Sequence, residues 1–186
     1  MQNSGLPRCS WVNRKNADYV RYHDEEWGVP LHEDAKLFEL LVLETFQAGL
    51  SWECVLNKRA AFRQAFDGFD AARVAAYGTV EIDALLQNEG IIRHRKKIEA
   101  AIQNAQVFLA LQAEYGSFST YLWGWTEGRV LVEQGQVSSP LSDAISKDLK
   151  ARGMKFVGTK VIYAYLQAAG LIYAHDPACF LARKLP

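Results

Sequence analysis

The stretch "LLQNEGIIRHRKKIEAAIQNA", residues 85–105, has the pattern of two helices joined by a tight turn at Gly90. We predict that the second helix runs from about residue 93 to residue 113. Its first turn is crowded with cations: Arg93, Arg95, Lys96 and Lys97. Free backbone N–H groups at a helix N-terminus ringed by cations suit a phosphate. The stretch therefore predicts a helical hairpin that can hold an anionic partner.

Helical periodicity also dominates the rest of the chain, where apolar residues recur mostly at spacings of three and four. We predict an all-α protein with one strand pair inside residues 129–137. The stretch "YVRYHDEEWGVP", residues 19–30, fits neither a good helix nor a good strand. Besides the hairpin, helices or helical segments are expected at about 34–48, 51–66, 70–78, 118–125, 142–152 and 159–169.

Length and composition suit one domain, or two small lobes sharing a chain of 186 residues that is 49% hydrophobic. No apolar run is long enough for a membrane span and no secretory leader is visible, so we expect a cytoplasmic protein. Three cysteines are too few for a disulfide framework, which leaves thiols or metal ligands. The formal net charge is zero, yet residues 21–44 hold seven acids and two bases. The charged stretches could equally be solvated helix faces.

Glu44 lies on the apolar face of the helix predicted at 34–48, because it follows Leu40 by four residues and Leu41 by three. An unpaired buried charge costs several kcal/mol. The carboxylate must therefore bend toward the rim, bond to a buried tyrosine or tryptophan, lie beside a cavity, or take up a proton. Periodicity alone leaves these alternatives open.

Aromatic residues are unusually dense in the first 52 residues. Most such residues are simply core. Beside an acidic carboxylate, however, they could form a slot that stacks a flat ring and favours a positively charged one. The set comprises Trp11, Tyr19, Tyr22, Trp27, Phe38, Phe46 and Trp52.

Two cysteines and two histidines lie near the two ends of the chain: Cys9, His23, His175 and Cys179. This composition suits a tetrahedral zinc ion that ties the ends together. Four protein ligands would leave no open position, so such a metal would be structural. Neither pair has a short Cys-x-x-Cys spacing, and ordinary thiols with surface histidines remain the alternative. Cys54 has the pattern of a core cysteine.

With these residues in view, the chain closely resembles the bacterial 3-methyladenine DNA glycosylase I family, a branch of the helix-hairpin-helix DNA glycosylases. The resemblance spans nearly the whole chain, from "RCSWV" to "HDPAC". The stretches that carry it are "YHDEEWGVP", "LFELLVLETFQAGLSW", "GIIRHRKKIEAAIQNA" and "LKARGMKFVGTKVIYAYLQAAGL", with the terminal His-x-x-x-Cys.

The resemblance implies a single domain over residues 1–186, with two helical lobes around a base-binding cleft and a helix-hairpin-helix at about 80–105. It implies one structural zinc ion, with Cys9, His23, His175 and Cys179 as ligands. Gly90 and the four cations of the hairpin would contact double-stranded DNA. We expect a monomer.

The resemblance also implies excision of 3-methyladenine, and less readily 3-methylguanine, from alkylated DNA to leave an abasic site. Glu44 would contact the extruded base, with Tyr22 and Trp52 as stacking walls. Trp11, Tyr19 and Trp27 would frame the slot.

The wider superfamily usually has an assisting aspartate after the hairpin, and none occurs between Asp83 and Asp143. We therefore expect a monofunctional glycosylase. Two rivals remain at this point. One is a bifunctional glycosylase and lyase with Lys96 or Lys97 as nucleophile, for which a lysine in solvent is a poor candidate. The other is a zinc-stapled DNA-binding module without catalysis.

Overall fold

The structure is a computed structural model that describes residues 5–182. Helices predominate, as predicted. The α-helices are α1 Ala17–Glu25, α2 Asp34–Gln47, α3 Trp52–Leu56, α4 Arg59–Ala65, α5 Ala71–Ala75, α6 Thr79–Gln87, α7 Arg95–Tyr115, α8 Phe118–Gly124, α9 Pro140–Ala151 and α10 Thr159–Ala168, with a 3-10 turn at Asp67–Phe69 and strands β1 Leu131–Val132 and β2 Ile172–Tyr173.

Helix α2 lies at the centre of the molecule. Every residue from Leu37 to Phe46 is buried, and α3, α7, α8 and α10 pack around the helix. A helix that is apolar on nearly all sides is stable only when it is buried in the core. The polar side chains between Leu37 and Phe46 are therefore forced into the interior, Glu44 among them.

The stretch at residues 19–30 departs from expectation, because its first part is helical. Helix α1 covers Ala17–Glu25, and the Asn16 side chain caps it by accepting from the backbone N–H groups of Asp18 and Tyr19. Tyr19, Tyr22 and His23 form its buried face. A nine-residue helix buried on aromatic rings is stabilised by tertiary packing, which sequence propensity does not contain.

The helix predicted at 51–66 is also divided in two. Helix α3 ends at Leu56 and α4 begins at Arg59. At the junction the Lys58 Nζ donates to the carbonyl oxygens of Glu89 and Gly90, at 3.1 and 3.3 Å. This contact spans about thirty residues and leaves no trace in helical periodicity.

The predicted strand pair within residues 129–137 is wrong in its partner. Strand β1 pairs with β2 in parallel, with Leu131 opposite Ile172 and Val132 opposite Tyr173. A parallel pair requires a crossover connection, so local turn signals could not reveal it.

The hairpin consists of α6, a turn, and α7, whose N-cap is His94. Gly90 lies in the turn. The position requires glycine because an added Cβ would be 2.9 Å from the Cβ of Ala61 on α4. The hairpin is thus packed closely against α4. The division of the chain into one domain with two lobes stays a prediction.

Within residues 5–182, no helix combines the length and the apolar composition needed to cross a membrane.

Gly170, which follows α10, provides a test of the packing. Its φ is +77°, and an added Cβ would approach the Val29 carbonyl carbon to 2.4 Å and the Pro30 nitrogen to 2.5 Å. We expect Gly170→Ala to lower the free energy of unfolding by about 3 kcal/mol or more, because overpacking adds to the backbone strain, and urea denaturation measures this loss. Gly128, with φ +74° and no neighbour within 4 Å of an added Cβ, is the matched control. Gly128→Ala should lose only about 1–2 kcal/mol from backbone strain, and an equal loss in both variants would contradict the packing argument.

Candidate functional site

Glu44 is buried in the core, with only 3% of its surface exposed. Its Oε2 atom has no hydrogen-bond partner among the described residues. Burial raises the pKa of Glu44 to about 8 from an ordinary value of 4.5. Of the alternatives open at the sequence level, the structure therefore rejects a carboxylate turned toward the rim.

A second buried glutamate on the same helix shows how unusual this environment is. The Glu39 carboxylate accepts from Arg59 Nε at 2.6 Å and from Arg63 Nε at 2.8 Å. Two guanidinium groups thus compensate the burial of Glu39. Glu44, five residues further along, has no such cation within residues 5–182, which leaves its carboxylate available to an incoming group.

Glu44 lines a pocket of about 190 Å³. Five of the six residues predicted to contact a ligand line this pocket, and three further lining residues were not predicted. The lining residues are Trp11, Tyr22, Trp27, Glu44, Gln47, Trp52, Ala164 and Gln167. The structure therefore brings together residues from the N-terminal segment, α1, α2, α3 and α10.

Tyr22 and Trp52 adjoin each other in this pocket, with ring centroids 5.1 Å apart and planes inclined by 42°. A flat ring stacked between two others needs a centroid separation of about 7 Å. The two rings therefore form neighbouring sides of the pocket in this structure, rather than two facing walls. The Trp52 Nε1 is buried without a hydrogen-bond partner among the described residues.

Tyr19, the sixth predicted residue, is not among the lining residues and packs against Trp11, with ring centroids 5.5 Å apart. Burial raises the pKa of Tyr19 to about 12, with the charges of Glu53 and Glu44 adding to the effect. Of the residues that were not predicted, Gln47 follows Glu44 by one helical turn, and that spacing could have revealed it. Ala164 and Gln167 on α10 carry no such signal.

The four predicted metal ligands converge in the structure. One ligand atom from each of Cys9, His23, His175 and Cys179 lies within 4.8 Å of every other. The His175 Nδ1 is 3.4 Å from the Cys9 Sγ and 3.7 Å from the Cys179 Sγ, and His23 Nε2 is 3.5 Å from Cys179 Sγ. Edges of about 3.3–3.8 Å are those of a tetrahedron around a zinc-sized ion. The donor set therefore fits a metal.

The outer contacts of this cluster support the same fit. His23 Nδ1 is 2.8 Å from Asp24 Oδ1, and Arg8 in turn donates to Asp24 Oδ2 at 2.6 Å. Such a carboxylate fixes the ring orientation of a metal-bound imidazole. His175 has a hydrogen bond to the backbone of Trp27. At Gly28, φ +79°, a Cβ would lie 3.2 Å from His175 Nε2, so glycine permits this close approach.

The acid–base properties of the cluster suit a cation. Burial lowers the pKa of His175 to about 4, and burial also lowers the pKa of His23, so both imidazoles are neutral near pH 7. Burial raises the pKa of the Cys9 thiol to about 12. A divalent metal would reverse that last effect, because it stabilises thiolates.

The group of two cysteines and two histidines lies next to the pocket, with Trp11 and Trp27 between them. Trp27 lies edge-on to His175 at 4.7 Å between centroids, and Trp11 lies edge-on to His23 at 5.3 Å. The two tryptophans also contact each other at 4.8 Å. The segment that joins the chain ends therefore shapes one side of the pocket.

Three of the four hairpin cations are exposed: Arg93, Arg95 and Lys96. Arg95 donates to Asp83 at 2.8 Å, and Arg93 lies 3.7 Å from Glu89. Lys97 corrects the expectation of an exposed cation, since it is only 6% exposed. It is directed inward because the α7 face that bears it, with Ile98 and Ala101, packs onto the core. Cys54 is half-buried rather than a full core residue.

A family model described as methyladenine glycosylase matches residues 11–182. The DNA-3-methyladenine glycosylase 1 of Escherichia coli K12 is 43% identical over 180 residues, which cover 94% of this chain and 96% of that protein. The DNA-3-methyladenine glycosylase of Haemophilus influenzae is 40% identical, over 92% of this chain and 96% of that protein.

Solved structures give the same result. A crystal structure of a 3-methyladenine DNA glycosylase I superposes with a TM-score of 0.90 at 46% identity, over 94% of this chain and 98% of that one. The Staphylococcus aureus 3-methyladenine DNA glycosylase I, described for its recognition of 3-methyladenine, superposes with a TM-score of 0.89 at 38% identity, over 94% and 96% of the two chains.

The raised pKa of Glu44 predicts a pH-dependent stability. The folded pKa of about 8 lies above the ordinary 4.5, so protonated Glu44 does not destabilise below about pH 4.5. The folded state therefore loses stability relative to the unfolded state as the pH rises from about 4.5 toward and through 8. We expect Glu44→Gln to match the parent near pH 4.5 and to exceed it at pH 9 by a few kcal/mol, on the order set by the pKa shift. Urea unfolding at both pH values measures this, and a constant difference across the range would contradict it.

The group of two cysteines and two histidines predicts that the stability of the fold depends on a bound metal. We expect Cys179→Ala to lower the metal content and the thermal midpoint, because a bound metal stabilises only the folded chain. Elemental analysis and calorimetry, with and without a chelator, measure both quantities. Cys54→Ala is the matched control, since Cys54 lies outside the cluster. Unchanged metal content in Cys179→Ala would rule out the four-ligand site.

Proposed function

The chain belongs to the methyladenine glycosylase family, and on that basis we propose that the Glu44 pocket binds an alkylated purine extruded from double-stranded DNA. Its relatives are DNA-3-methyladenine glycosylases, so the chain is an enzyme that hydrolyses N-glycosyl bonds and excises 3-methyladenine.

The observation that carries the pocket assignment is Glu44, which lines the aromatic pocket and whose buried Oε2 has no hydrogen-bond partner among the described residues. Methylation at N3 makes an adenine cationic while it is still bonded to deoxyribose. A carboxylate in an aromatic pocket attracts a cationic ring far better than a neutral one. The cation would in turn lower the raised pKa of Glu44, so that base binding and ionisation of the carboxylate favour each other.

The chemical step requires little assistance because the cationic base is already a good leaving group. The base takes the electron pair of the C1′–N bond and departs as neutral 3-methyladenine. Water adds to the resulting oxocarbenium-like sugar at C1′ and loses a proton, which leaves an abasic site. Glu44 and the surrounding rings select and hold the base, and their interactions strengthen as the substrate is extruded.

The same pocket accounts for a preference for adenine. The exocyclic amine of 3-methyladenine can donate a hydrogen bond to the Glu44 carboxylate. Guanine has a carbonyl oxygen at that ring position, which would face the carboxylate with a second acceptor. We therefore expect 3-methylguanine to be released less readily.

DNA would bind at the hairpin. Arg93, Arg95 and Lys96 are exposed around the N-terminus of α7, and phosphates favour a helix N-terminus with cations nearby. This is the helix-hairpin-helix mode of binding. The N–H of Gly90 donates to the Asn88 side chain at 2.9 Å, so direct contact between Gly90 and DNA stays a prediction. A monomer in the cytoplasm also stays a prediction.

A zinc ion would be held by Cys9, His23, His175 and Cys179. Four protein ligands exclude a catalytic position on the metal, so its contribution would be stability. Through Trp11 and Trp27 that stability would extend to the pocket.

We propose a monofunctional reaction without a lyase step. A lyase requires a free amine nucleophile, and the Lys97 Nζ donates to two backbone carbonyls in the interior. Lys96 remains as an exposed amine. The non-catalytic DNA-binding module is set aside by the family match.

The direct test is to incubate the purified protein with dimethyl-sulfate-treated duplex DNA and to identify the released bases by chromatography. We expect 3-methyladenine, less 3-methylguanine, and abasic DNA with intact strands. Strand cleavage, or a covalent adduct trapped by borohydride, would establish a lyase instead.

In the same assay we expect Glu44→Ala to release 3-methyladenine at least tenfold more slowly, because the pocket loses its only acidic acceptor. Metal content and affinity for undamaged duplex should remain within about twofold of the parent, a margin near 0.4 kcal/mol. Glu25→Ala, which removes an exposed carboxylate, is the control. Unchanged release in Glu44→Ala would exclude the pocket.

A further inference from the structure

Lys97 joins the hairpin to the helix that carries Glu44. Its Nζ donates to the carbonyl oxygens of Phe46 at 2.8 Å and Ala48 at 2.6 Å, at the C-terminal end of α2. These two residues follow Glu44 by two and four positions. Lys97 itself lies in the first turn of α7, directly after the hairpin turn.

The charge of Lys97 completes the end of α2. The last turn of a helix exposes carbonyl oxygens that carry partial negative charge and favour a cation. Helix α2 has no basic residue in its own last turn, and Lys97 supplies the cation from another element. Within residues 5–182 no carboxylate forms an ion pair with Lys97, so these two carbonyls are its partners.

A second lysine forms a bridge in the opposite direction. Lys58 Nζ, at the junction of α3 and α4, donates to the carbonyl oxygens of Glu89 and Gly90 in the hairpin turn. Helix α3 begins with Trp52, which lines the pocket. The close approach of Gly90 to Ala61 presses the same turn against α4.

From these contacts we propose that Lys97 is a positioning residue, supported by Lys58, that holds the phosphate-binding hairpin at a fixed distance from the base pocket. The proposal rests on the proposed function, in which the hairpin holds the duplex and Glu44 holds the extruded base. Both lysines act through backbone carbonyls and would touch neither the base nor the sugar.

The physical reason concerns geometry rather than affinity. The hairpin can hold phosphate and the pocket can hold a base independently, but one nucleotide reaches both only if their separation is correct. A misplacement of about 1 Å can cost about a hundredfold in rate. Loss of the Lys97 bridge would therefore reduce turnover while leaving each separate affinity nearly intact.

The test uses Lys97→Met, which keeps an unbranched stem and removes the ammonium. Three quantities are measured on folded protein: the affinity for free 3-methyladenine by tryptophan fluorescence, the affinity for undamaged duplex, and the single-turnover rate of base release from methylated duplex at saturating enzyme. Lys36→Met is the control, because Lys36 is exposed on the same helix α2 and forms an exposed ion pair with Glu33.

We expect Lys97→Met to keep both affinities within about twofold and to release base at least tenfold more slowly. Lys97→Arg, which keeps the charge and the donors, should recover part of the rate. Lys58→Met should show a smaller loss of the same kind, because its bonds are longer.

Two results would overturn the proposal. One is a release rate in Lys97→Met within twofold of the parent. The other is a parallel loss of base affinity, duplex affinity and thermal midpoint, which a purely structural lysine would give. If Lys97→Met does not fold, the same three quantities for Lys58→Met and Lys97→Arg decide the matter. Failure of the parent to release 3-methyladenine would instead contradict the proposed function.

Discussion

A carboxylate buried without a partner destabilises the fold that contains it, and the molecule tolerates this at Glu44 because α2 is buried on nearly every side. The apolar neighbours that surround α2 supply the packing that offsets the unfavourable environment. Glu39 shows the ordinary solution on the same helix, with two arginines against its oxygens. Glu39 is thus a structural charge, whereas Glu44 is available to a ligand.

The walls of the pocket come from segments that are far apart in the sequence. Trp11 and Trp27 lie against the rings of His23 and His175, so the cluster that joins the chain ends also fixes one side of the pocket. The end of α10 contributes Ala164 and Gln167. Gly170 then lets the segment at Val29 pass against the end of α10 without a side chain between them. Ligand binding and the closure of the fold are therefore linked through shared residues.

The hairpin and the pocket are joined by lysine-to-carbonyl bonds that run in both directions. Lys97 reaches from α7 to the end of α2, and Lys58 reaches from the α3–α4 junction to the hairpin turn. Because these two lysines bond to backbone carbonyls, neither forms a salt bridge with Glu44. The arrangement places a rigid connection between the proposed DNA contact and the proposed base contact, which is the requirement for acting on an extruded nucleotide.

The sequence by itself determined the helical class, most helix positions and the presence of a carboxylate on the buried face of α2. These features follow from local spacing and from residue chemistry, which the chain carries at every position. The resemblance of its motifs to one family also identified the residues of the pocket, except Gln47, Ala164 and Gln167. Only the tertiary structure decided that residues 17–25 form a helix, that β1 pairs with β2, and that Lys97 turns inward rather than toward solvent. Each of these depends on a partner far away in sequence, and a local pattern contains no information about which distant group will satisfy a backbone carbonyl or cover an aromatic ring.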